Sequence, residues 1–167
     1  MEWKTLAPCG ALLSALLLFF SGPLFAHGDA KGPSAMPSTS QATGPAMTIY
    51  RSASCGCCTQ WGKHIAAAGF HINDQIRDDM DRVKQFNGIA PDQASCHTAI
   101  VEGYVIEGHV PATSIQRLLA ERPDIRGLAV PGMPIGSPGM EVEGQKAHSF
   151  SVMAIAHDGS ISVFDRF

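Results

Sequence analysis

Several chemistries are missing from this sequence. No Ser-His-Asp order, no glycine loop of the phosphate-cradling kind and no paired-carboxylate motif stands out, which leaves hydrolytic, phosphoryl-transfer and glycosidic reactions without their usual groups. A basic excess is also lacking: 12 Lys and Arg stand against 15 Asp and Glu, for a formal charge of −3. A nucleic-acid binder would show a basic face, and no basic amphipathic stretch suggests a helix lying on a membrane surface. The longest apolar run falls short of the ~20 residues that a spanning helix needs. Cysteines are few, five in 167 residues, and too unevenly spread for a disulfide scaffold.

That apolar run belongs to residues 1–26, which read as a secretory signal peptide. Lys4 supplies the positive start, Leu12 to Phe20 the apolar stretch, and Gly22-Pro23 breaks it ahead of Leu24-Phe25-Ala26, where Ala26 suits a cleavage site. Cys9 precedes the apolar run, so it does not fit a lipoprotein anchor. Cleavage predicts an exported, periplasmic protein with four cysteines: Cys55, Cys57, Cys58 and Cys96. Residues 27–46 are rich in Gly, Pro, Ser, Ala and Thr and read as a flexible tether. Were cleavage to follow Ala26, the amine and ring of His27 would form a Cu(II) chelate; a plain disordered tail is the simpler reading.

The folded domain is expected over residues 47–167. Met47 to Tyr50 is β-like. After Cys55-Gly56-Cys57-Cys58, Trp61, Ile65 and Ala68 recur at helical spacing, and Gly69 ends the run. His71 to Ile76 reads as a second strand. Asp78-Asp79 opens a second helix, whose inner face is predicted to carry Met80, Val83 and Phe86 and which ends at Gly88. Thr98 to Val101 and Tyr104 to Ile106, separated by Glu102-Gly103, form a hairpin signal. Pro111 opens a third helix with Ile115, Leu118 and Leu119 inward, and Pro123 stops it. The order β-α-β-α-β-β-α is that of a thioredoxin-like α/β fold. Asp124 to His148 is predicted to be a long Gly/Pro/Met loop, too apolar for disorder and long enough to suggest function. A hairpin turning at Asp158-Gly159 closes the chain.

Chemistry concentrates at Cys55-Gly56-Cys57-Cys58, a strand-to-helix turn. N–H groups of a first helical turn favour anions there, and a thiolate so placed is a good nucleophile and a good metal ligand. In the expected strand order, the first helix starts beside the start of the third strand. Cys96, just ahead of that strand, should therefore join the triplet as a fourth thiol; otherwise it is a small buried hydrophobe. Soft thiolates select Cu(I), zinc or iron–sulfur clusters. Four-cysteine zinc sites ordinarily use two separated C-x2-C knuckles. Consecutive thiolates suit several Cu(I) ions better than one tetrahedral zinc, so copper is favoured over zinc. His97, next to Cys96, is the first nitrogen candidate and His109 the next, while the remaining histidines read as surface, strand or turn residues. Met133 and Met140 in the Gly/Pro loop are thioether candidates, against the ordinary role of gap-filling core. Asp78, Asp79 and Asp81 read as a solvated helix start.

Four stretches carry a resemblance: Cys55-Gly56-Cys57-Cys58 with Trp61, Ser95-Cys96-His97-Thr98-Ala99, Glu107-Gly108-His109-Val110-Pro111-Ala112, and the run from Gly127 to Glu141. On these motifs, which span most of residues 47 to 167, the chain resembles the periplasmic CopG-type copper-resistance proteins, a family long filed as a domain of unknown function with a metal-binding label. The resemblance implies a thioredoxin-like domain that binds copper through Cys55, Cys57, Cys58 and Cys96. It also implies a cysteine-bridged copper cluster, a role in copper redox interconversion and a place among exported proteins that handle excess copper. His97, Met133 and Met140 extend the implied ligand set as hypotheses. Expected partners are copper ions and other periplasmic copper-handling proteins, with no nucleic acid and no membrane once the leader is cleaved. A copper buffer and a copper-dependent oxidoreductase would share this site. Two other readings stand beside it: a thiol–disulfide oxidoreductase, because Cys55 and Cys58 form a C-x-x-C, and a structural zinc domain.

Overall fold

The computed structural model describes residues 44–167; the predicted leader, Cys9, His27 and most of the predicted tether lie outside the described residues. The elements run β1 (Ala46–Arg51), α1 (Gly56–Ala67), β2 (His71–Ile76), α2 (Met80–Phe86), β3 (His97–Val101), β4 (Tyr104–Glu107), α3 (Ala112–Glu121), β5 (Gly127–Ala129), β6 (Ser151–Ile155) and β7 (Ile161–Arg166). All seven strands join one mixed sheet in the order β2-β1-β3-β4-β5-β6-β7. β1 pairs parallel with β2 and antiparallel with β3, so Arg51 faces His97 across the ladder. A two-residue turn joins β3 to β4, with Glu102 at φ 47° and Gly103 at φ 86°; positive φ at both positions matches the twist of the strands they connect.

The main core lies between one sheet face and two helices. Met47, Ile49, Ala99, Val101, Ile106, Leu128, Val152 and Ala154 project from the strands onto Trp61 and Ile65 of α1 and Ile115 and Leu118 of α3. Period-two alternation sends Ile100, Val105, Ala129 and Ile155 to a smaller cluster with Ile89 and Ala94. Trp61 is fully buried, and its indole N–H donates to the Val110 carbonyl at 2.9 Å, which ties α1 to the entry of α3.

Two sequence expectations change. Phe86 is 90% exposed, while Lys84 is buried. The inner face of α2 is thus set by a polar contact and not by Met80, Val83 and Phe86 together: Lys84 has a carboxylate to meet inside, and a helix of two turns cannot also turn Phe86 inward. The segment after Asp124 is not all loop. Gly127 to Ala129 form β5, wholly buried and parallel to β4. Three residues beginning with glycine give no strand signal, yet glycine is what the position needs, because a Cβ there would strike the carbonyl of Val105. The terminal hairpin consequently continues the sheet through β5.

Candidate metal centre

The turn between β1 and α1 builds the first half of the site. Cys55 is the N-cap of α1, with extended backbone, and Cys57 and Cys58 fall in the first helical turn. Cys55 and Cys58 are joined by a disulfide, their Cα atoms 5.4 Å apart. Cys58 is buried as part of the helix face, whereas Cys57 is a partly buried free thiol. Its sulfur stands 3.5 Å from the Cys55 sulfur.

The second half comes from the start of β3 and the end of β4. Cys96 is the other free cysteine among the described residues, and its Sγ lies 3.8 Å from Cys57 Sγ. The same sulfur is 3.0 Å from His109 Nε2 and 3.4 Å from His97 Nδ1. The four sulfurs of Cys55, Cys57, Cys58 and Cys96 all lie within 4.8 Å of one another, and so do the donor atoms of Cys96, His97 and His109. Cys96 belongs to both groups, a hinge between a sulfur set and a mixed sulfur–nitrogen set.

Protonation states suit ligation. His109 Nδ1 is 2.8 Å from the Pro138 carbonyl. A carbonyl can only accept, so Nδ1 carries the proton and the Nε2 lone pair faces Cys96. A backbone acceptor on one ring nitrogen that aims the other is the usual way an imidazole ligand is oriented. Burial lowers the pKa of His109, partly offset by that carbonyl and by Glu141. Burial, then His109 and Lys84, hold the His97 pKa well below the usual range. Both rings are therefore neutral near pH 7. The Cys96 thiol is pushed up from 9.0 to about 12, first by burial and then by Cys57. It holds its proton until a cation replaces it. His97 Nε2 is buried with no hydrogen-bond partner among the described residues, and the His97 ring packs 4.3 Å from the Trp61 ring. Soft sulfurs and the two neutral imidazoles form a donor set that fits copper.

The Gly/Pro loop covers this cluster. Pro138 reaches His109, and Gly139 (φ 84°) presses on α1 so closely that a Cβ would sit 2.6 Å from the Trp61 amide nitrogen and 2.9 Å from the Cys57 carbonyl. Glu141 fastens the segment, accepting from the Gly139 N–H at 2.8 Å and pairing with His64 at 3.0 Å. Of the thioether candidates, Met133 is half-exposed. Met140 is partly buried, its backbone bonded within the loop to Gly136 and Ser137. His71 is exposed on β2, and His157 pairs with Asp124 at the surface. Asp79 caps α2 through the Arg82 N–H, the ordinary role of such an acid. The sequence ranked His109 behind His97; the structure gives it the shortest contact to Cys96. The signal was its place in Glu107-Gly108-His109-Val110-Pro111, two residues beyond the end of the strand that pairs with the start of β3.

Comparison with known proteins agrees with this geometry. A family model described as a protein of unknown function, DUF411, matches residues 93–140. A solved structure of copper resistance protein CopG, form 2, is 43% identical, covering 74% of this chain and 98% of that one, with a TM-score of 0.70. Form 1 of the same protein is also 43% identical, covering 73% and 96%, with a TM-score of 0.69. No curated protein sequence matches.

Proposed function

The chain belongs to the family of CopG copper resistance proteins, and on that premise we propose that it is an exported copper-binding protein that takes Cu(I) as its cargo at the thiolates of Cys55, Cys57, Cys58 and Cys96. His97 and His109 add nitrogen donors, and Met133 and Met140 are proposed as thioethers from the covering loop. The observation that carries this reading is the position of Cys96 Sγ, in contact with both Cys57 and His109. Cu(I) accepts two or three soft donors, so six converging donors exceed what one ion uses. Thiolates shared between ions make a multinuclear cluster the natural occupant. The β-α-β-α-β-β-α order with strands β2-β1-β3-β4 adjacent supports a thioredoxin-like scaffold beneath the site.

The disulfide gives the site a second chemistry. At the site, Cys57 and Cys96 alone offer thiols while Cys55 and Cys58 are joined. Two-electron reduction releases the other pair, so the full donor set belongs to the reduced protein. In the other direction, the Cys55/Cys58 dithiol can give one electron to each of two Cu(II) ions. The products are two Cu(I), the disulfide and two protons, which is a balanced route to copper redox interconversion.

X-ray absorption on protein reduced and metallated anaerobically tests this. Sulfur-rich ligation with added nitrogen and copper–copper scattering is expected; a sphere of nitrogen and oxygen alone would overturn it. Anaerobic competition with zinc belongs to the same experiment, since tighter retention of one zinc per chain would favour a structural zinc domain.

A thiol–disulfide oxidoreductase is the second reading, favoured by the Cys55–Cys58 bond at the start of α1. Insulin reduction by metal-free protein separates the two. Robust turnover that survives replacement of Cys57 and Cys96 by serine would support that enzyme over a copper protein.

A further inference from the structure

Glu107 is fully buried at the end of β4, in register with Thr98. Three donors hold its carboxylate. Oε1 accepts from Lys84 Nζ at 2.6 Å and from the Ser95 backbone N–H at 2.7 Å. Oε2 accepts from the Thr98 hydroxyl at 2.7 Å, and that hydroxyl accepts from Lys84 at 3.2 Å. The next residue tightens the same grip. Gly108 N–H donates to the His97 carbonyl at 3.0 Å, and a Cβ on Gly108 would lie 2.5 Å from the Ser95 side chain. Ser95 is further fixed by its hydroxyl bond to the Gly132 carbonyl.

Stability alone does not account for this arrangement. A buried ion pair is often no better than apolar residues of the same volume, and α2 turns Phe86 to solvent while Lys84 goes inward. What the pair does accomplish is local. It holds the residue before Cys96 and the residue after His97, two ends of a four-residue segment whose middle carries a sulfur and an imidazole of the site. We propose that Glu107, held by Lys84, is a positioning residue: its carboxylate clamps Ser95 to Thr98 and so sets where the Cys96 sulfur stands against Cys57 and His109.

The test compares two double variants that both remove the buried cation, so that neither leaves an unpaired charge. Lys84→Met/Glu107→Gln keeps a carbonyl acceptor for the Ser95 N–H and an amide near Thr98. Lys84→Met/Glu107→Ala keeps neither. Two readouts are taken on full chains whose thermal unfolding is checked first. One is the rate at which a short bifunctional thiol reagent bridges Cys57 to Cys96 in metal-free protein with the Cys55–Cys58 disulfide intact. The other is anaerobic Cu(I) affinity of the reduced protein, which rests on the copper reading above.

The alanine variant should cross-link markedly more slowly and lose about 10- to 100-fold in Cu(I) affinity, the usual loss when a ligand's outer support is removed. The glutamine variant should recover most of both. An alanine variant that matches wild type in both readouts overturns the clamp, and so does a glutamine variant as impaired as alanine, which would assign the effect to charge. Should the alanine variant fail to fold, Thr98→Val removes one arm alone, and unchanged cross-linking in that variant overturns the proposal. If the wild-type chain binds no Cu(I) while cross-linking still ranks the variants as expected, the clamp stands and the copper reading falls.

Discussion

Replacing Cys96 with serine removes the one sulfur that touches both the thiol triplet and the two imidazoles. Burial, reinforced by Cys57, raises this thiol from 9.0 to about 12, so a metal ion must displace its proton throughout the neutral range. At pH 7 the free thiol is therefore protonated. A ligand protonated when free and deprotonated when bound makes the apparent affinity rise about tenfold per pH unit. Serine carries no such proton. From about pH 6 to about pH 9, the wild-type plot of log affinity against pH should therefore be steeper than that of Cys96→Ser by about one unit. Competition with a Cu(I) chelator under anaerobic, reducing conditions measures both slopes, and copper per chain is counted in the same samples. Cys96→Ser should lower that count as much as Cys57→Ser does. Parallel slopes with unchanged stoichiometry would refute the placement of Cys96 at the metal.

Two further outcomes follow from the same geometry. The pKa values of His97 and His109 are lowered in the folded chain, so the unfolded chain binds more protons as pH drops below about 6.5, and stability should fall there; calorimetry of metal-free protein should show a falling midpoint that His109→Gln flattens, and equal pH profiles would sink the argument. Gly139→Ala should cost about 1–3 kcal/mol, because its Cβ would press on α1 backbone at Cys57 and Trp61; a lower denaturation midpoint with faster alkylation of Cys57 is expected, and an unchanged alkylation rate would show that the loop does not shield that thiol.

Much of the fold was legible because local patterns agreed with the final packing. Trp61 and Ile65 at helical spacing are core residues, His71 to Ile76 is a strand, and Glu102-Gly103 turns the β3–β4 hairpin. The approach of Cys96 to the triplet followed from strand order alone, since β1 and β3 are neighbours and their cysteine-bearing ends coincide. What escaped was decided by distant partners. Lys84 turns inward for Glu107, 23 residues away, which no periodicity within α2 encodes. β5 exists because β4 and β6 leave a three-residue slot that only glycine can enter at Gly127. The Cys55–Cys58 bond was available to a reader as a C-x-x-C, but spacing does not say which thiols are joined.

The covering segment leaves the sheet after Ala129 and returns at Ser151, and the strands on either side, β5 and β6, are hydrogen-bonded neighbours. Its two ends are therefore held close together by the ladder, where Ala129 pairs with Met153, two residues into β6, however long the excursion between them. Lengthening such a closed excursion costs little, about 0.6 kcal/mol for a doubling, and displaces no strand. Length is therefore cheap to add in the exposed stretch after Glu141, whereas Pro138 and Gly139, which meet His109 and the start of α1, fix the part of the cover that lies over the sulfurs.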